Sequence, residues 1–177
     1  NNTNNRHATN TIDDGNIRLL VIAIEGAGDQ TRVRGVVTSG GGLRARNGVN
    51  VPDSDPDLPA VTDRDLELAH AMTKAGVDFL AVSFCRDGDD LRRLRSKVID
   101  DIEPDGIPPG IVAKVERPAA VANLTDVVAA SDAVLVARGD LGVEMDIAEV
   151  PVVQKRIVSA AVSAGRPVIV ATQMLQS

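Results

Sequence analysis

The stretch Ala133-Val134-Leu135-Val136-Ala137-Arg138-Gly139-Asp140-Leu141-Gly142-Val143-Glu144 decides the fold. Its first five residues form a continuous apolar run, too short for a typical helix. Such a run suits a strand buried on both faces, as in a parallel sheet covered by helices. It then breaks into Arg-Gly-Asp-Leu-Gly, which predicts a turn at the carboxyl end of the strand. Ligand chemistry in α/β folds collects at that end. Asp140 is therefore either a site carboxylate or the cap of a short turn at Leu141-Gly142. Arg138 points the opposite way from Gly139 and reads as an ion-pair partner.

Outward from this run the pattern repeats. Downstream, Pro151 opens a helix at its favoured first position, Val153, Ile157 and Ala161 recur on one stripe, and Gly165 closes it. Pro167 to Thr172 follows as a strand. Upstream, Pro118 to Ala130 holds one or two short helices, and Gly110 to Val115 is a strand. Asp87 to about Asp100 is a helix with Leu91, Leu94 and Val98 inside and Arg92, Arg93, Arg95 and Lys97 outside. Asp78 to Phe84 is another short apolar strand. Thr62 caps a further helix, with Asp65 three residues on, that runs through Leu66, Leu68, Ala69 and Met72 to Gly76. From residue 62 onward the order is therefore α-β repeated four times, which implies a parallel sheet with right-handed crossovers. That is about half of an eight-stranded barrel, with a doubly wound sheet as the rival. No Gly-x-Gly-x-x-Gly follows a strand and no Gly-Lys-Ser/Thr loop occurs, so the nucleotide-fold signatures are absent.

Before residue 62 the pattern differs. Residues 39–60 are rich in Gly, Pro and Asp, including Gly48-Val49-Asn50-Val51-Pro52-Asp53, and make the best candidate for a domain boundary. Ile17–Ile24 and Thr31–Thr38 form a hairpin around Gly26-Ala27-Gly28-Asp29, preceded by a turn at Thr11-Ile12-Asp13-Asp14-Gly15. Residues 1–12 are Asn- and Thr-rich and are expected to fray.

Composition narrows the function classes. A 177-residue chain with 44% hydrophobic and 25% charged residues is ordinary for a globular domain. Its net charge of −6, without a dense basic cluster, argues against a nucleic-acid surface. The absence of Trp and Tyr, with Phe79 and Phe84 the only aromatics, argues against base-stacking platforms. No apolar stretch approaches the ~20 residues of a membrane span, and the N-terminal residues lack signal-peptide character. Cys85 stands alone, which excludes an intrachain disulfide and makes a reducing, cytoplasmic setting the expectation.

Chemistry-bearing residues fall at the predicted strand ends. In Ile111-Val112-Ala113-Lys114-Val115-Glu116, strand alternation puts Val112, Lys114 and Glu116 on one face. A lysine in an apolar strand needs a charged partner or a ligand. Lys114 and Glu116 lie roughly 7 Å apart along the strand. That spacing is read as too wide for a tight pair and suited to gripping two parts of an anion-plus-metal complex. Glu116 and Asp140, from neighbouring strands, offer the hard oxygens that Mg²⁺ or Mn²⁺ takes. The backbone N–H groups of Gly139 and Asp140 can hold a carboxylate or phosphate. Thr172 ends the last strand, where its hydroxyl either binds a substrate carboxylate or is an ordinary strand residue. Ser83 and Cys85 have plainer readings, as a strand-end hydroxyl and a small packed residue. His7 and His70 have no metal-spaced partner and are assigned nothing.

Taken together, Ala113-Lys114-Val115-Glu116, Ala137 to Glu144 and Ala171-Thr172-Gln173-Met174-Leu175 resemble the pyruvate kinase family. So do Gly48-Val49-Asn50-Val51-Pro52, the helix entry Asp57-Leu58-Pro59-Ala60-Val61, and Phe79 to Phe84, in the family's order and at its approximate spacing. The resemblance implies an α/β fold: a partial (β/α)₈ TIM barrel of about four βα units over residues 51–177. Residues 1–50 would be the C-terminal part of a β-rich lid domain and its return linker. It implies phosphoryl transfer from phosphoenolpyruvate to ADP, giving pyruvate and ATP in glycolysis. Lys114 would be the catalytic cation, also touching substrate. Glu116 and Asp140 would be the ligands of Mg²⁺ or Mn²⁺. Gly139, Asp140 and Thr172 would bind the substrate carboxylate. The family's K⁺ is expected, but its ligands fall outside this chain, as do the first three barrel strands, the eighth strand and the C-terminal regulatory domain. The full-length protein would be a cytoplasmic homo-oligomer, the family's tetramer. Glu116-Arg117 stands where the family often has Glu-Asn, and Lys155-Arg156 replaces a more apolar stretch; neither touches these roles. Half a barrel would leave open strand edges and would not be competent alone. A metal-dependent aldolase or lyase acting on a pyruvate enolate is the enzymatic alternative, and a non-catalytic barrel fragment the other.

Overall fold

The computed structural model describes residues 8–13, 15–52, 59–100 and 106–172. Asp14, Asp53, Asp57-Leu58, His7 and Gln173-Met174-Leu175, all named above, lie outside the described residues. The chain divides into two compact units, Asn1–Asp57 and Leu58–Ser177.

The first unit is an antiparallel sheet. Strands β1 (Thr9–Ile12), β2 (Ile17–Glu25), β3 (Arg32–Ser39) and β4 (Val49–Asn50) lie in the order β3-β2-β1-β4. The hairpin expected from residue 17 onward is β2-β3, with a one-turn 3₁₀ helix at Gly28–Gln30 in its loop. The expectation that residues 1–12 fray is corrected over its last four positions. Thr9–Ile12 pairs with β2 on one side and β4 on the other, so a polar segment is held by two ladders of backbone hydrogen bonds, with Thr11 buried between them.

The second unit alternates helix and strand: α1 (Asp63–Lys74), β5 (Phe79–Val82), α2 (Gly88–Asp100), β6 (Gly110–Val115), α3 (Pro118–Ala122), α4 (Leu124–Ala130), β7 (Ala133–Ala137), α5 (Arg138–Glu144), α6 (Val150–Ser163) and β8 (Val168–Ala171). All pairings are parallel, and the sheet order is β5-β6-β7-β8. Each strand lies beside its sequence neighbour, with no reversal point. This is barrel winding, since a doubly wound sheet reverses its order at the ligand crevice. The unit is thus an α/β partial TIM barrel.

Local chemistry explains the element boundaries. Thr62 caps α1 in a full capping box: Asp65 N–H donates to Thr62 Oγ1, while the Asp65 carboxylate accepts from Thr62 N–H at 2.8 Å. Asp87 caps α2, its Oδ1 accepting from the N–H groups of Asp89 (3.0 Å) and Asp90 (3.3 Å). Leu91, Leu94 and Val98 of α2 belong to one buried core with Ile111, Ala113 and Val115 of β6, Val134 and Val136 of β7, and Ile157 and Ala161 of α6. Of the stripe expected on α1, Ala69 is buried, whereas Leu68 and Met72 are exposed. The Arg-Gly-Asp-Leu-Gly turn is corrected to a helix of seven residues. Its two glycines mask a helical spacing in which Leu141 and Glu144 both turn inward and are buried. Pro151 is the second residue of α6, not its first, and Gly165 follows that helix with a φ of +67°.

The amino ends of the strands are fastened by Asp132. Its Oδ2 accepts from the backbone N–H of Ile111 at 2.7 Å and from Arg95 at 2.8 Å, and Arg166 approaches Oδ1 at 3.9 Å. Burial would raise its pKa, but these donors together hold it below the usual carboxylate range.

Candidate active site

Because β5 to β8 run parallel, their carboxyl ends share one edge of the sheet. They bring there Ser83 and Phe84 from β5, Lys114 and Glu116 from β6, Arg138, Gly139 and Asp140 from β7, and Thr172 from β8.

Lys114 and Glu116 form an ion pair, with Lys114 Nζ 2.6 Å from Glu116 Oε1. This corrects the expectation that their backbone spacing keeps them apart. Both side chains lie on one face, and the lysine's four-carbon stem closes the gap. Lys114 Nζ also donates to Ser83 Oγ at 2.9 Å. The Glu116 side chain is 1% exposed and that of Lys114 26%, so the carboxylate is sealed and the ammonium faces the edge. The second Glu116 oxygen, Oε2, accepts from the backbone N–H of Phe84 at 2.5 Å. Burial pushes the Glu116 carboxyl above its ordinary pKa, the hydrogen bonds from Lys114 and Phe84 oppose this, and the negative charge of Asp140 adds to it.

Asp140 is half-buried in the first turn of α5 and lies close enough to Glu116 for their charges to repel. A cation held by both carboxylates would offset that repulsion. Among the described residues no group of three or more His, Cys, Asp or Glu side chains is arranged as a metal cage. Mg²⁺ takes one or two carboxylates and keeps several waters and substrate oxygens in its shell, so the half-buried Asp140 fits it directly, whereas Glu116 would join it by giving up its contact with Lys114 or with Phe84. The Gly139 and Asp140 N–H groups belong to the first turn of α5, where backbone donors have no intrahelical acceptor. Thr172 packs against this turn. A Cβ built on Gly139 would stand 3.4 Å from Thr172 Cγ2 and 3.8 Å from its Oγ1. Thr172 itself has a φ of +73° and lies just beyond β8.

The family profile described as "Pyruvate kinase, barrel domain" matches residues 5–177. The chain belongs to the pyruvate kinase family. Pyruvate kinase of Corynebacterium efficiens is 43% identical over 166 residues, which is 94% of this chain and 33% of that protein. The corresponding enzymes of Thermotoga maritima and Agaricus bisporus are 41% and 39% identical over the same length, 94% of this chain and 34% and 30% of theirs. The chain thus spans about a third of the length of the pyruvate kinases it matches.

Within this member of the pyruvate kinase family, the structure brings together Lys114, Glu116, Asp140, Gly139 and Thr172 at one edge. Sequence reasoning gave Ser83 the plainer reading and missed the Phe84 N–H. A serine directly after a strand of matching register was the available signal for the first. The second had none, because phenylalanine carries no expectation of the left-handed backbone found here, with φ +54°.

Proposed function

We propose that this chain is the part of a pyruvate kinase that holds phosphoenolpyruvate and its divalent cation. The reaction is transfer of the phosphoryl group to ADP, yielding pyruvate and ATP. The observation that carries the reading is the Lys114 ammonium, fixed at the carboxyl end of a parallel sheet between Ser83 and Glu116, with Asp140 beside them.

Phosphoryl transfer is mostly positioning and electrostatic stabilisation. The bond between phosphorus and the enol oxygen breaks, and one from phosphorus to a terminal oxygen of ADP forms. Negative charge then spreads over the phosphoryl oxygens and collects on the departing enolate, which takes up a proton from water at its methylene carbon to become pyruvate. Lys114 supplies positive charge to both. Glu116 and Asp140 would hold Mg²⁺ or Mn²⁺, which when bound neutralises phosphoryl and enolate oxygens as a Lewis acid. The N–H groups of Gly139 and Asp140 and the hydroxyl of Thr172 bind the substrate carboxylate, orienting the enol oxygen toward Lys114. The buried Glu116 keeps Lys114 from swinging into solvent.

Residues 1–50 are read as the end of a β-rich lid domain with its return linker, and residues 51–177 as the partial barrel. None of residues 1–177 is assigned to the nucleotide or to K⁺ in this reading. A cytoplasmic setting and a homo-oligomeric full-length enzyme complete the proposal. No helix among the described residues is long and apolar enough to cross a membrane.

The test is Mg²⁺-dependent ATP formation from phosphoenolpyruvate and ADP. It uses the 177-residue chain alone and the same chain substituted for the matching stretch of the Corynebacterium efficiens enzyme. The completed enzyme is expected to turn over, the chain alone is not, and Lys114→Met lowers kcat at least about a hundredfold. Activity that survives Lys114→Met would overturn the mechanism.

A further inference from the structure

Three consecutive residues after β5 each reach the Lys114–Glu116 pair. Ser83 Oγ accepts from Lys114 Nζ at 2.9 Å. The backbone N–H of Phe84 donates to Glu116 Oε2 at 2.5 Å. The fully buried Cys85 thiol donates to the carbonyl oxygen of Lys114 at 3.3 Å. One contact holds the ammonium, one its carboxylate partner, and one the backbone from which the lysine springs. Phe84 adopts a φ of +54°, a left-handed conformation that is an outlier for a bulky side chain. Strain of this kind persists only where the surroundings impose it, and it concentrates at functional sites. The Arg117 guanidinium lies 6.0 Å from the centre of the Phe84 ring, so the residue after Glu116 packs back on the same turn.

We propose that Ser83-Phe84-Cys85 is a positioning turn for Lys114, with the Ser83 hydroxyl fixing the ammonium in its reactive place. This rests on the reading of Lys114 as the cation of phosphoryl transfer. Glu116 alone leaves the ammonium free to rotate about a single partner. Two acceptors from different strands set its direction, and the strained Phe84 backbone keeps Glu116 from following the lysine outward. Ser83 acts through Lys114 and is a positioning residue.

Two measurements test this. In the ¹⁵N-labelled 177-residue chain carrying Ile169→Lys, which removes an exposed apolar side chain from β8, the ¹H–¹⁵N signal of the Lys114 ammonium, assigned by its loss in Lys114→Met, reports its hydrogen bonds. Ser83→Ala is expected to speed its solvent exchange about tenfold or erase the signal, and Ser83→Thr to keep it. In the completed enzyme, Ser83→Ala is expected to lower kcat about tenfold or more while leaving the KM for ADP unchanged, and Ser83→Thr to restore kcat to within about threefold. Ser83→Cys keeps the volume with a weak acceptor and is expected to behave as Ser83→Ala, so the test stands if the alanine variant does not fold. An unchanged ammonium signal in Ser83→Ala, an unchanged kcat, or a loss that Ser83→Thr does not repair would each overturn the proposal. Failure of the underlying reading looks different: Lys114→Met itself would stay active, whatever Ser83→Ala does to the ammonium signal.

Discussion

A phenylalanine in the left-handed region costs of order 1–3 kcal/mol, and a β-branched residue fits there worse still. Phe84→Val is therefore expected to destabilise the chain by about 1–3 kcal/mol, whereas Phe84→Asn keeps the N–H, tolerates the conformation and stays within about 1 kcal/mol. Urea melts of the two variants check the order. Asp132 gives a second expectation at this scale. Its pKa is depressed in the fold, so the stability it contributes is complete above its unfolded value of about 3.9 and is lost as pH falls through the lower folded value. Asp132→Asn is expected to cost about 1 kcal/mol near neutrality, at the low end for a charged hydrogen bond because the side chain is 36% exposed. The thermal midpoints of variant and parent should converge in acid. Glu116 and Asp140 could be picked out because carboxylates at the ends of apolar strands are conspicuous. The Lys114–Glu116 pairing could not, because side-chain reach, not backbone rise, decides which charges meet.

At the scale of elements, the starts of α1 and α2 carry their own side-chain hydrogen bonds, whereas α3 and α6 were announced by a proline in the first turn. Thr62 and Asp65 mark the start of α1 by chemistry that operates within four residues. Thr62→Ala is expected to cost about 1 kcal/mol, read as a lowered melting midpoint. The arginines on the outer face of α2 also proved informative: Arg92 spans to Asp126 of α4 at 2.9 Å and Arg93 to Asp63 of α1 at 2.8 Å. Two elements were misread for opposite reasons. β1 is polar and is recruited by its neighbours, so no local pattern reveals it. α5 is helical despite Gly139 and Gly142, because burial of Leu141 offsets about 1 kcal/mol of propensity per glycine. Tertiary context won both times.

For the second unit as a whole, the core runs through β6 and β7, where Ile111, Val115, Val134 and Val136 are fully buried. Ile111→Ala is expected to cost about 2–5 kcal/mol in denaturant unfolding, the range for a large-to-small change with little room to collapse. The outer strands differ: Phe79 on β5 is 62% exposed and Ile169 on β8 is 48% exposed. Apolar strand edges of this kind pair with whatever they meet. The 177-residue chain made alone is expected to scatter light increasingly with concentration, and Ile169→Lys to reduce it.

The neighbour-to-neighbour strand order has a consequence in time. Register partners across the three parallel pairings, Val82 with Ala113, Val112 with Ala133 and Val134 with Val168, are separated by 31, 21 and 34 residues of chain. Closure entropy grows only with the logarithm of loop length, so the three closures differ by about 0.4 kcal/mol. The sheet can therefore grow one strand at a time as the chain leaves the ribosome, with each new strand docking on the one before it.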